Sequence, residues 1–305
     1  MLRFSVALMA LSLTGWARAD DPKIQPTEVT AGEDESVLFL GVGNVEGLGQ
    51  IVQVDLTGTD LGRVDLDGTP YSLATAGDFV FAVVPSQGKI YRIVRNGNVT
   101  PLFSTGEISH PIAIAVDPET ERIFVGDNLA DRIVRITPGQ DKDDVLQIQE
   151  PDRQLQNLSL AALSASQIVF SGSQPLGVYL GIFESEANSR MLLPEEGDVA
   201  AKPGSTIWIA AQREVIKVFD GIEETSTISL PDGMRLYRSG MLAFTRNGKL
   251  LAAVNKQADV AVTQVDLETG EFVELFQWQG VRLVCMAAGR KLNWNNAPED
   301  SQIEQ

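Results

Sequence analysis

The chain has 305 residues, a formal net charge of −17 and a single histidine. So acidic a chain is a poor match for nucleic acid or for anionic membrane surfaces, which select basic partners. One histidine and one cysteine also exclude a histidine-rich zinc site and any disulfide within the chain.

Residues 1–19 have the layout of a secretory signal. Arg3 gives a positive start, Phe4 to Leu13 is an apolar run broken only by Ser5 and Ser12, and Ala17-Arg18-Ala19 fits a small-x-small cleavage site. The apolar run is shorter than the roughly 20 residues of a bilayer span, and no later stretch is long and apolar enough to make one. Export to a periplasmic or extracellular location is therefore expected. Cleavage would remove Arg3 and Arg18 and leave 22 basic against 41 acidic residues, a charge of −19. An oxidising compartment without disulfides calls for a large self-sufficient core, which a chain of this length can build. Residues 20–36 are polar and acidic and read as a flexible lead-in; 295–305 read as a similar tail.

Between these ends the chain is a series of short runs rich in Val and Ile, bounded by Asp, Pro, Asn and Gly, as expected of β-strands in a meander. One apolar run recurs at a near-constant interval. Its copies begin at Val37, Phe79, Ile123, Ile168, Ile207 and Leu250, spaced by 42, 44, 45, 39 and 43 residues. No helical period intervenes. A unit of about 40–45 residues holding four strands is a β-propeller blade, and blades bury their faces only by stacking on neighbours. Turn chemistry agrees: Gly77, Gly204 and Gly248 fall between first and second strands, Gly97 and Gly270 between third and fourth, where tight hairpins need positive φ.

Each copy is the second strand of a blade, so each needs a first strand before it. Segments 71–75, 112–116, 158–163, 198–201 and 240–245 supply five; Val37 has none. The missing strand lies at the other end, where Gly280 to Lys291 is similar to Gly240 to Lys249 and no further copy follows. The expected fold is therefore all-β, a six-bladed propeller over 37–294 with four-stranded blades, closed by a C-terminal strand that joins the first blade. Closure leaves no open edge between first and last blades.

The clearest unit is His110 to Ile136. It resembles the NHL repeat and also the YWTD repeat of receptor propellers. Both run Pro-x-x-Ile-Ala-Val-Asp, a turn, an aromatic-containing strand ending in Asp, a polar loop and Arg-Ile. Pro111, Ala115, Val116, Asp117, Phe124, Asp127, Arg132 and Ile133 carry that pattern, with Ile112 where a Gly is usual and Phe124 to Asp127 in place of the YWTD tetrapeptide. The match is good over one blade and degenerate in the other five. The resemblance implies the fold for most of the mature chain. It selects no function, because such propellers include lyases, lactonases and pure binding modules.

Chemistry-bearing patterns are few. Gly41 to Gly49 is glycine-rich, but position 46 is Glu and a strand follows, so no helix N-terminus is offered to a phosphate; it reads as a hairpin loop. A serine triad could use only His110, and no GxSxG elbow exists. Asp65-Leu66-Asp67-Gly68 has too few ligands for a calcium loop. Leu283-Val284-Cys285-Met286 places Cys285 in the core as a small hydrophobe. Asn98 and Asn157 head formal glycosylation sequons.

Geometry supplies the remaining candidates. Loops that lead into the first strand of each blade lie nearest the central channel, and in this chain they carry Tyr71, His110, Asn157, Asp198, Arg238 and Arg282. Convergent polar groups on a rigid scaffold are a candidate ligand site. The reading this favours is a non-catalytic binding module without a cofactor, acting as a monomer and taking a protein, peptide or small-molecule ligand at the channel mouth. The alternative is a calcium-dependent lactonase-type hydrolase. It follows from a more distant resemblance, in blade number, to the gluconolactonase family, which holds calcium with a Glu, two Asn and an Asp. Asn157 and Asp198 would be two such ligands, with the oxygen chemistry a hard cation takes. The resemblance to lyases of the NHL type is weaker on this point, because their metal ligands are mainly His.

Overall fold

The computed structural model describes residues 36–43, 47–102, 108–137, 144–148, 156, 158–173, 176–183, 188–237, 241–256, 259–279 and 282–294. The signal segment 1–19, the lead-in up to residue 35, the tail 295–305, Asn157 and Arg238 lie outside them.

Among the described residues, twenty-five strands form six antiparallel sheets, one per blade. Blade 1 holds β1 (Ser36–Gly43), β2 (Gly49–Val54) and β3 (Asp60–Leu66). Blade 2 holds β4 (Ser72–Ala76), β5 (Phe79–Val84), β6 (Lys89–Ile93) and β7 (Val99–Pro101). Blade 3 holds β8 (Pro111–Val116), β9 (Ile123–Asp127), β10 (Arg132–Ile136) and β11 (Asp144–Gln147). Blade 4 is β12 (Ser159–Ser164), β13 (Gln167–Ser173), β14 (Leu176–Ile182) and β15 (Asn188–Leu193). Blade 5 is β16 (Asp198–Ala201), β17 (Ile207–Ala211), β18 (Val215–Asp220) and β19 (Glu223–Ser229). Blade 6 is β20 (Met234–Leu236), β21 (Leu242–Phe244), β22 (Leu250–Lys256), β23 (Asp259–Val265) and β24 (Phe272–Trp278). The last strand, β25 (Leu283–Arg290), takes the innermost place in blade 1. It pairs with β1 from Ser36↔Arg290 to Val42↔Leu283, which is the closure expected from the strand count. The innermost strands β25, β4, β8, β12, β16 and β21 touch in that order, and β21 touches β25 again.

The core explains why the ring must close. Described buried apolar residues fall into six clusters, each between two neighbouring blades. Side chains alternate across a strand, so β1 sends Val37 and Phe39 toward blade 2 and Leu38, Leu40 and Val42 toward blade 6. Both faces of each blade are covered, so central strands are apolar throughout instead of alternating with polar residues. The Trp208 ring, fully buried between blades 4 and 5, stacks on Phe219 with centroids 4.1 Å apart.

Hydroxyls tie the innermost strands together. The Ile114 N–H donates to Ser72 Oγ (3.2 Å), Val199 N–H donates to Ser159 Oγ (3.1 Å), and Thr75 Oγ1 donates to the Ala288 carbonyl (2.6 Å). These bonds satisfy strand-edge groups that face the axis and have no ladder partner there. All five turn glycines named above adopt positive φ, from 53° at Gly77 to 85° at Gly97.

The structure departs from the sequence-based expectation at blade 6. Its innermost strand starts at Met234, not near 240, and is in two pieces. Segment β20 pairs with Val254 to Lys256, and β21 pairs with Leu250 to Ala252. Between them Ala253 accepts from Tyr237 N–H (3.0 Å) and donates to Met241 O (2.9 Å), so one residue of β22 serves both pieces.

Candidate functional site

The channel has two ends. The upper face carries the connections into the innermost strands and those between second and third strands; the lower face carries the rest. At the upper end the axial opening is a throat of only about 60 Å³, with Tyr71 and Ser72 at its rim. At the lower end it is a cavity of about 540 Å³. Six residues line both: Leu73, Ile114, Leu160, Val199, Leu242 and Met286, one from each blade. This apolar ring divides the channel. It offers no polar group to a ligand, and the throat above it has room for a few water molecules at most.

The ligand-sized space of the upper face lies off the axis. A groove of about 680 Å³ runs between blades 5 and 6 and reaches blade 4, lined among others by Leu176, Glu196, Asp198, Arg213, Arg235 and Tyr237. It lies where the innermost strand of blade 6 is split. Segment β20 is held to blade 5 by Leu236 N–H donating to the Arg213 carbonyl at 3.0 Å and by the Arg235–Glu214 ion pair at 3.1 Å. On the other wall, Gly197 N–H donates to Ser171 Oγ (2.9 Å) and Gln212 donates to the Glu195 carboxylate. A side chain at Gly197 would stand 3.0 Å from the Ala211 carbonyl, so the wall depends on close backbone approach there.

The sequence-predicted site residues that are described all stand at the upper ends of innermost strands, but they do not meet at one point. Tyr71 is 44% exposed at the throat rim, its N–H donating to Val83 O at 2.8 Å. Asp198 is buried in the wall of the groove. Arg282 is exposed, its carbonyl accepting from Gly43 N–H at 3.1 Å, and it lines neither the throat nor the groove. His110 also lines neither. Its loop is clamped by the fully buried Asp127 carboxylate, which accepts from Ser109 N–H (3.0 Å) and His110 N–H (2.9 Å) and pairs with Arg132 at 3.3 Å. That clamp is the physical content of the repeat's Asp and Arg: they fix the turn into the blade. Asn157 and Arg238 lie outside the described residues.

Leu176, Arg213, Arg235 and Tyr237 are groove residues that sequence reasoning missed. The alternation Met234-Arg235-Leu236-Tyr237 is the one local signal that could have placed a strand there.

Exposed apolar side chains are unevenly distributed. Among the described residues eight large ones are exposed. Leu48, Tyr71 and Leu129 lie on upper-face connections of blades 1 to 3, Leu176 opens β14 at the upper end of blade 4, Ile222 lies on the lower face, and Val145, Met191 and Val273 lie on outermost strands. Among the described residues no three His, Cys, Asp or Glu side chains converge as a metal cluster, and no helix is long and apolar enough to cross a membrane.

No family model matches the sequence, and no curated protein matches it. Solved structures do. A chain of the nidogen/laminin complex has a TM-score of 0.59 at 15% identity, covering 85% of this chain and 99% of that one. A putative 6-phosphogluconolactonase from Bacteroides uniformis has a TM-score of 0.54 at 13% identity, covering 82% and 84%. Streptogramin B lyase has a TM-score of 0.51 at 14% identity, covering 67% of each. Identities this low speak to the fold alone. The chain is a six-bladed β-propeller of the architecture that its NHL- and YWTD-like repeat implied.

Proposed function

We propose that the protein is an exported, non-catalytic binding module that takes a polypeptide partner on its upper face, with the groove between blades 5 and 6 as the anchor pocket. The observation that carries this is the groove itself: about 680 Å³, bordered by the exposed Leu176 and lined by both charged and aromatic groups. An apolar anchor beside a small number of placed polar groups is how pockets and interface hot spots are built. The other exposed apolar residues of that face, Leu48, Tyr71 and Leu129, extend the contact surface, in keeping with what exposed patches on soluble proteins generally mark. A propeller of this architecture occurs in the nidogen/laminin complex, in which two proteins associate. Export rests on Arg3, the apolar run to Leu13 and Ala17-Arg18-Ala19. Material recovered outside the cytoplasm should begin at Asp20 by N-terminal sequencing, and a soluble cytoplasmic form retaining Met1 would refute export.

The test is selection of displayed peptides on the mature chain. Enriched peptides should lose at least tenfold in affinity to a Leu176→Asp, Arg213→Ala variant, about 1.4 kcal/mol. Affinities indifferent to that variant would reject the groove. The competing reading, a calcium-dependent lactonase-type hydrolase, draws support from the buried Asp198 and from the lactonase name of one structural neighbour. A lactone panel assayed with calcium and with chelator decides it. Calcium-dependent turnover lost in Asp198→Asn would replace the binding reading.

A further inference from the structure

The lower end of the channel is wide because the innermost strands finish there in small residues. Ala74, Ala162, Ala201 and Ala288 are half-buried in its wall, and Val116 and Phe244 complete the circle. The apolar ring closes it above. The result is a cup of about 540 Å³, within the range of small-molecule sites.

Its charged lining consists of Arg246, Arg290 and Glu119. The two arginines come from adjacent blades: Arg246 follows β21 and Arg290 ends β25. Glu119 comes from blade 3 and stands beside the Gly204 turn of blade 5. Two guanidinium groups therefore stand at this rim, with the Glu119 carboxylate across the cup and the Asp78 carboxylate beside Arg290. The Arg290 guanidinium is also poorly satisfied. Its Nε–H is buried without a hydrogen-bond partner, and its Nη1 stands 3.6 Å from Asp78 Oδ1, an oxygen that likewise accepts no hydrogen bond. Buried polar groups left in this state are costly, and a guanidinium fork is the natural partner of a carboxylate.

We propose that the lower cup is a second ligand site, and that it takes a monocarboxylate with an apolar body. The body lies against the alanine wall, and the carboxylate pairs with Arg290 and Arg246. The guanidinium of Arg290 gains an acceptor by turning from Asp78 toward the cup. The cup shares no lining residue with the upper-face groove, so the two readings are independent.

Calorimetric titration of the mature chain with octanoate tests this, with octanamide and octylamine as uncharged and cationic counterparts. Octanoate should bind with one equivalent, and the amide and amine at least tenfold more weakly. Arg246→Gln combined with Arg290→Gln should weaken octanoate at least tenfold. Ala162→Phe, which fills the cup and leaves both arginines in place, should do the same. Val273→Asp, exposed on the outermost strand of blade 6, should leave the octanoate affinity unchanged. Thermal melts of each variant show whether it is folded, and the rim and filling variants act on different blades, so one decides where the other fails to fold. Absence of octanoate binding, equal binding of octanoate and octanamide, or an affinity unmoved by the folded variants would overturn the site. Such a failure leaves the upper-face reading standing, because that reading is scored on peptides and on different residues.

Discussion

Gln53 and Leu292, 239 residues apart, are joined by two hydrogen bonds: Gln53 Nε2 donates to the Leu292 carbonyl at 3.1 Å, and the Leu292 N–H donates to Gln53 Oε1 at 3.0 Å. Gln53 is 0% exposed. Its amide stands in for a strand backbone and receives the chain just beyond β25, where ladder pairing has ended. Gln53→Ala leaves the buried Leu292 N–H and carbonyl without partners. A loss of about 2–4 kcal/mol in unfolding free energy is expected, from two desolvated groups at about 1–3 kcal/mol each less partial relaxation. Urea denaturation checks it, and a loss below about 0.5 kcal/mol would show that the clamp contributes little.

The ring depends on the strand that this clamp secures. β25 occupies the inner side of β1, and the Trp294 ring beyond it packs on Phe39 with centroids 5.3 Å apart. Deleting residues 280–305 uncovers β1 and opens two blade interfaces at once. The truncated chain should show no cooperative melt. A single sharp transition near that of the full chain would mean that the propeller does not need its closure.

Asp127 is expected to be the costliest single carboxylate to remove. It is fully buried, accepts two backbone N–H groups and pairs with Arg132. Asp127→Ala removes the acceptor of two backbone N–H groups and one partner of Arg132, and removal of one partner from a buried pair typically costs about 3–5 kcal/mol. Thermal and urea melts give the comparison. Asp117→Ala is a control: its side chain holds the Glu119 N–H and the Thr120 hydroxyl within its own turn, and a smaller loss of about 1–2 kcal/mol is expected for two local bonds.

Most of the fold was legible because each blade repeats one physical demand. Central strands such as Val80 to Val84 and Ile123 to Val125 are covered on both faces, so they read as unbroken apolar runs, and positive-φ glycines such as Gly77 and Gly248 mark the hairpins between them. The closure was legible as bookkeeping, since one first strand was missing and one was left over. The split strand of blade 6 was not. Met234 to Leu236 follows a proline-containing linker and is three residues long, so its alternation with Tyr237 is only a weak signal. The groove was not legible either. Leu176, Arg213 and Tyr237 come from three blades and carry no common local pattern; only the approach of blades 4, 5 and 6 brings them together. The channel-mouth site was expected from strand position alone, which says nothing of what lines the axis below it: Leu73, Leu160 and Met286 with their three counterparts do.

The free thiol gives a prediction in pH. Cys285 is buried, its Sγ donates to the Pro70 carbonyl at 3.6 Å, and a side chain on Gly41 would stand 2.3 Å from that sulfur. Burial pushes the thiol pKa far above its ordinary value, and a hydrogen bond from the Gly41 backbone opposes this only in part. In the unfolded chain the thiol titrates near 8.5. A folded pKa above the unfolded one means that the native state binds the proton more tightly. The associated stability is therefore fully present below about pH 8.5 and is lost as pH rises beyond it. The slope should approach about 1.4 kcal/mol per pH unit for this one group. Other groups also titrate in alkali, so the measurement is the difference between the parent chain and Cys285→Ala, each unfolded in urea at pH 8 and pH 10. The parent should lose more stability than the variant between those two values, by up to about 2 kcal/mol. Equal losses would show that the thiol ionises as readily in the folded chain as in the unfolded one, and would place Cys285 in contact with solvent.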